Sequence, residues 1–170
     1  MSDAPDTAAR PADEASLVAA LNSTWFGANL PPDTQVRLGR LARRYQAPAG
    51  TVLLAEGELA NELGIVVSGR VSLRTLVPEQ GMITILTVEP GDIFGQSAVV
   101  PPYRATSSCV ALQPVDVIAL DGPGLRAALA SDCELAAALY PRVLQALARR
   151  LSATRLQMLD LFASRQGGKW

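Results

Sequence analysis

The sequence predicts an α+β fold: an antiparallel, jelly-roll-like β-roll flanked by N-terminal helices and a long C-terminal helix. Three observations carry this. From Gly50 to Asp121 the chain runs as short β-rich segments cut by glycine. These strands follow one another without intervening helices, which points to a sandwich or barrel and not to βαβ units. On either side of them, apolar residues recur at helical spacing. With 170 residues, 49% of them apolar, the chain can bury the core of one domain.

The elements follow in order. Residues 1–11 are acidic and rich in Pro and Ala, and read as a mobile tail. Residues 12–46 read as helical. "DEASLVAALNS" has an acidic start and an apolar face. "PPDTQVRLGRLARRY" follows, with Asp33 or Thr34 as cap and Val36, Leu38, Leu41 and Ala42 available for burial. Its arginines, Arg37, Arg40, Arg43 and Arg44, read either as an anion patch or as a solvated helix face, and the solvated face is the simpler account.

Residues 47–121 form the expected roll. "TVLLAEGE" is strand then turn, "LGIVVSGRVSLRTLV" two strands around Ser68-Gly69, and "MITILTV" another; "GDIFG" closes that part, and "TSSCVAL" and "VDVIAL" complete the roll. In 122–163, "DGPGLRAALAS" predicts a short helix. A long one, "CELAAALYPRVLQALARRLSATRLQMLDLFAS", follows, with Pro141 marking a kink or a fresh start. Leu147, Leu151, Thr154, Met158 and Leu161 recur at alternating steps of four and three, the seam of a two-stranded coiled coil with one polar residue in it. A homodimer through this helix is therefore expected. Residues 164–170 are read as a second tail.

Composition excludes several functions. A formal net charge of -1 argues against a sequence-independent grip on nucleic acid. No apolar run reaches membrane-spanning length, and the N-terminus lacks the basic and apolar parts of a signal peptide, so the expected location is the cytoplasm. Cys109 and Cys133 are then expected to be two buried free thiols. The chain has no histidine, which removes His-based acid–base catalysis, Ser-His-Asp chemistry and His-rich metal sites. The acids are scattered through turns and caps. The chain is expected not to be an enzyme and to carry no cofactor.

One stretch carries the binding chemistry, "GDIFGQSAVVPPYRATSS" from Gly91 to Ser108. Gly95 permits unusual backbone angles or close approach. "QSAVV" is long enough for one helical turn, whose first N–H groups have no internal partners. Arg104 adds a guanidinium fork that fits phosphate oxygens. Ala105 and Thr106 lead into the next strand and offer a further N–H or hydroxyl. Together these suit a single phosphate.

In order along the chain, "GTVLLAEGE", "VSGRVSL", "EPGDIFGQSA", Arg104 with Ala105 and Thr106, and "LARRLSATRLQ" make the region from about Pro31 to Phe162 resemble the cyclic nucleotide-binding domain family, in its bacterial catabolite activator type. The resemblance implies that "FGQSAVVPPYRAT" is a phosphate-binding cassette. It places the cyclic phosphate on Gly95, Gln96, Ser97, Ala98 and Arg104, with Ala105 and Thr106 beside it, and sets Thr154 of the long helix against the base. The implied ligand is a cyclic mononucleotide, cAMP or cGMP. Two features depart from the family's pattern. Gln96 stands where an acid usually accepts the ribose 2′-hydroxyl; its amide oxygen accepts the same bond without charge, a loss of roughly 1 kcal/mol. The loop to Arg104 is also short and stiffened by "PPY". The chain ends at "LFASRQGGKW", which leaves no recognition helix, so a stand-alone sensor that does not bind DNA directly and signals to an unknown downstream protein is expected. The competing expectation is an interaction or dimerisation module of the same fold that binds no nucleotide.

Overall fold

The structure, a computed structural model, describes residues 8–10 and 13–166. The two expected tails thus lie largely outside the described residues. Part of each does not: Ala8–Arg10 form a short strand, β1, paired antiparallel with the next strand in sequence, and residues 164–166, expected as tail, continue the long C-terminal helix.

Helix α1 (Glu14–Asn22) starts where Asp13 caps it, its carboxylate accepting from Ser16 N–H at 2.8 Å, and it buries Leu17 and Leu21. Helix α2 (Pro32–Leu41) has no side-chain cap; Pro31 precedes it and Pro32 needs no N–H partner in the first turn. The expected cap at Asp33 or Thr34 is therefore displaced outwards. Thr34, Leu38 and Gly39 face the core, whereas Val36 is exposed.

The expected helix through Tyr45 also needs correction, because it stops at Leu41 and Ala42–Ala47 form strand β2. Tyr45 and Ala47 point inwards, and six consecutive residues pair with strand β9 (Val115–Asp121). The arginines that looked like a helix face are separately paired. Arg44 makes a two-pronged contact with Asp116 at 2.9 and 2.7 Å, and Arg43 pairs with Glu62 while lying over the Tyr45 ring. Arg37 meets Asp132, and Arg40 approaches Glu14 at 3.5 Å. No anion patch forms from them.

The roll is two antiparallel sheets. One has the order β1-β2-β9-β4-β7, with β4 at Glu62–Ser68 and β7 at Ile93–Phe94. The other has the order β3-β8-β5-β6, from Val52–Leu54, Ser108–Ala111, Val71–Val77 and Gly81–Val88. The two strands read around Ser68-Gly69 thus lie in different sheets. Gly69 turns the corner at φ +83°, and a Cβ there would sit 2.4 Å from Pro114 O. Leu63, Ile65, Val71, Ile93, Phe94, Val117 and Ile118 are fully buried and belong to the core.

Helix α3 (Gly122–Ser131) is capped by Asp121, which accepts from Gly124 N–H at 2.7 Å. Helix α4 (Cys133–Gln166) runs unbroken through Pro141, so that proline neither ends nor restarts it. Its first half buries Leu135, Leu139, Val143 and Ala146 at steps of four and three. Arg142 fastens this half by donating to Trp25 O and Phe26 O at 3.0 Å each and to Ala28 O at 2.7 Å. Arg149 stacks over the Trp25 ring at 4.1 Å. Past Leu147 the apolar side chains turn outwards; Leu151, Leu156, Met158 and Leu159 are all more than half exposed. Of the expected seam, Leu147 packs partly on the core, Thr154 is partly buried, and the surroundings of Leu161 lie outside the described residues. Cys109 is buried as expected, but Cys133 is exposed at the first turn of α4. Among the described residues no helix is long and apolar enough to cross a membrane.

Candidate functional site

The site begins at the end of β7, where the chain turns at Gly95. Its φ of +69° is left-handed, and a Cβ would lie 2.6 Å from Glu62 O on the neighbouring strand. Glycine is required there for both conformation and space. The Gly95 N–H is directed at the Cys109 sulfur, and burial pushes that thiol up to about 12. Gln96–Ala98 then make one 3₁₀ turn, closed by Ala98 N–H to Gly95 O at 2.8 Å and Val99 N–H to Gln96 O at 3.1 Å. The N–H groups of Gln96 and Ser97, with the Ser97 hydroxyl, take no partner among the described residues.

Arg104 stands at the other side of this segment, exposed, after a cis Pro101-Pro102 bond and a left-handed Tyr103 at φ +62°. Its backbone bridges Leu59, and its guanidinium donates to Gly57 O at 2.9 Å. Ala105 is buried, and both of its backbone groups are used: its N–H donates to Glu58 O at 2.9 Å and its carbonyl accepts from Gly57 N–H at 2.8 Å. It has no donor left for a ligand. Thr106 is exposed.

Two arginines that sequence reasoning passed over hold the site together. Arg126 of α3 donates to Ala98 O at 2.8 Å and lies 4.6 Å over the Tyr103 ring. It thereby joins the end of the 95–98 turn to the residue before Arg104. Arg150 of α4 reaches beneath its helix and donates to both Ile93 O and the side-chain oxygen of Gln96. Burial holds the Arg150 guanidinium below its ordinary value, and its Nε is buried with no partner among the described residues. Thr154 sits one turn further on and donates back to Arg150 O at 2.9 Å, which puts both residues on one face of α4. The available signal was spacing: Arg150 lies four residues before Thr154, which the resemblance set against the base, and so shares its helix face.

A guanidinium only donates, so the Gln96 atom it meets is the carbonyl oxygen. The group expected to accept a sugar hydroxyl thus already accepts one bond from α4, which leaves Gln96 a second lone pair on that oxygen and the amide NH₂.

Known proteins share this fold. The profile of the Cyclic nucleotide-binding domain matches residues 44–132. The chain is 32% identical over 131 residues to the CRP-like cAMP-activated global transcriptional regulator of Mycobacterium tuberculosis, across 76% of this chain and 56% of that protein. It therefore spans little more than half the length of that relative. A cyclic nucleotide-binding domain from Methylobacillus flagellatus superposes with a TM-score of 0.72 at 25% identity, covering 86% of this chain and 83% of the other. A cAMP-binding acyltransferase from Mycobacterium smegmatis superposes at 0.65 with 26% identity, over 82% of this chain and 42% of that one. With a β-roll, a left-handed glycine turn and a long helix lying over both, matched across its central 44–132, the chain belongs to the cyclic nucleotide-binding domain family.

Proposed function

We propose that the chain is a regulatory module whose 95–98 turn and Arg104 hold the phosphate of a cyclic nucleotide, with cAMP and cGMP the first candidates. The observation that carries this is the pair of open N–H groups at Gln96 and Ser97, tied through Arg126 and Tyr103 to the segment that bears Arg104. Backbone donors held by a left-handed glycine need no reorganisation to meet phosphate oxygens, and the exposed guanidinium supplies the countercharge. The base then lies under α4 near Thr154.

Ligand contact with α4 is the route by which binding is read. The exposed apolar face around Leu144, Leu151 and Met158 supports pairing with a second copy, and the regulator among the relatives supports a non-enzymatic role with a downstream protein as reader. Titration calorimetry with cAMP and cGMP tests the reading. Heat is expected with at least one of them and is lost in Arg104→Ala. No heat with any cyclic nucleotide, or heat unchanged in that variant, overturns it.

One observation favours a second reading, a pure interaction module. Arg104 already donates to Gly57 O, so its guanidinium has an internal partner in the protein alone. Protection of the Gln96 and Ser97 amides from hydrogen exchange by a cyclic nucleotide would rule that module out.

A further inference from the structure

A cleft of about 490 Å³ opens where the segment after α1 meets the first half of α4. It falls in the size range of small-molecule sites, about 300–1,000 Å³. None of its lining residues belongs to the 95–104 segment. Trp25, Ala137, Ala138 and Pro141 supply apolar walls, Arg142 and Gln145 supply polar groups, and no acid lines it. Arg142 is anchored there without being used up. Its Nη1 donates to Trp25 O and Phe26 O and its Nη2 to Ala28 O, which leaves the Nε–H and one Nη2 hydrogen. The Nε has no partner among the described residues and, unlike that of Arg150, is not sealed from solvent. Those two neighbouring N–H groups form the side of the guanidinium fork that grips a carboxylate with two bonds. Arg149, 4.1 Å over the Trp25 ring, adds a second positive charge. Among the described residues neither guanidinium has a carboxylate within ion-pair distance. A part-buried guanidinium met only by neutral carbonyls is incompletely compensated, and an anion placed against it gains more than a neutral group would.

We infer that this cleft binds a small organic carboxylate with an apolar body. The carboxylate meets the Nε–Nη2 side of Arg142, and the body lies against Trp25, Ala137, Ala138 and Pro141. The inference does not depend on nucleotide binding. Arg142 is also the clamp that ties α4 to the backbone of Trp25, Phe26 and Ala28, so an occupant of the cleft braces the root of that helix.

The test is proton–nitrogen NMR on the full chain with three probes: phenylacetate, its neutral analogue phenylacetamide, and inorganic phosphate. Phenylacetate is expected to shift the Trp25 indole N–H and the Ala137 and Ala138 amides with a Kd of about 1 mM, the affinity of a fragment of that size. Phenylacetamide, which lacks the charge, and phosphate, which lacks the apolar body, are each expected to bind about tenfold more weakly. Arg142→Lys keeps the charge but removes the fork, and should weaken phenylacetate by about tenfold as well. Ala137 is exposed, so Ala137→Phe fills the cleft while leaving the Arg142 clamp in place, and it should abolish the shifts. No saturable shift with phenylacetate, equal binding of the amide or of phosphate, or shifts that survive Ala137→Phe overturns the inference. None of these results bears on the proposed function, which is read with cAMP and cGMP.

Discussion

The Arg126 guanidinium lies 4.6 Å over the Tyr103 ring while the same side chain donates to Ala98 O at 2.8 Å. One residue of α3 therefore spans the gap between the two halves of the 95–104 segment, whose ends are separated by the cis Pro101-Pro102 turn. Arg126→Met keeps the aliphatic stem and removes both polar contacts. It is expected to cost about 1.5 kcal/mol, from one charged hydrogen bond and one partly exposed cation–π contact, and so to lower Tm by about 3–6 °C. Ligand affinity should fall with it, because Arg104 loses its registration to the turn. Differential scanning calorimetry with and without ligand checks both.

Gly95→Ala meets two penalties at once, a left-handed backbone and a Cβ against Glu62 O. The conformational part alone is about 1–2 kcal/mol, and the contact adds to it. A loss of about 2–4 kcal/mol in urea unfolding is expected, far more than the few tenths of a surface change.

The two thiols should behave differently. Burial favours the neutral form of Cys109, whose value rises to about 12, so its reactivity stays flat through the pH range where an ordinary thiol ionises. Cys133 is exposed. At pH 8 a thiol-specific reagent should label one cysteine rapidly and the second only in denaturant, with the fast label mapping to Cys133.

The carboxyl of Asp132 is held below its ordinary value, first by the Leu135 N–H it caps at 3.0 Å and then by Arg37. A depressed carboxyl adds stability above its unfolded value, about 3.9, and that contribution is lost as pH falls through the lower folded value. Asp132→Asn should therefore be less stable than the natural chain at pH 7. The difference should shrink as urea midpoints are measured at successively lower pH below that value.

Leu151 is 54% exposed on α4. If α4 pairs with a second copy, Leu151→Glu should convert a dimer to a monomer by sedimentation. Because the side chain is not part of the monomer's core, the monomer's own stability should change by less than about 0.5 kcal/mol.

The sequence made the roll legible because most of its strands are bounded by a glycine and carry β-branched or aliphatic residues, as "VSGRVSL" does. Strand β2 was not legible: "ARRYQA" begins with two arginines on the end of an amphipathic helix, and only Asp116 and Glu62, 72 and 19 residues away, explain why those arginines lie along a sheet. Gly95 and Arg104 could be read from one segment because the turn, the prolines and the guanidinium are contiguous. Arg126 and Arg150 could not. A single arginine on a helix reads as solvated until packing decides which face of α4 covers the roll, and that decision is made by Leu135, Leu139, Val143 and Ala146 far earlier in the helix. The Gln96 substitution was visible, but its partner was not, so the polarity of that corner emerged only from the fold.

The three carbonyls gripped by Arg142 have a mechanical consequence. They clamp the root of α4 to the N-terminal segment, while beyond Arg150 the helix continues for sixteen residues to Gln166, with Leu151, Leu156, Met158 and Leu159 facing outwards. At 1.5 Å per residue that free arm is about 24 Å long. It is a lever: a tilt of about 10° at Arg150 would swing the tip by about 4 Å, most of the pitch of one helical turn. An event confined to one guanidinium thus becomes a displacement large enough to remake or break a helix–helix contact at the far end.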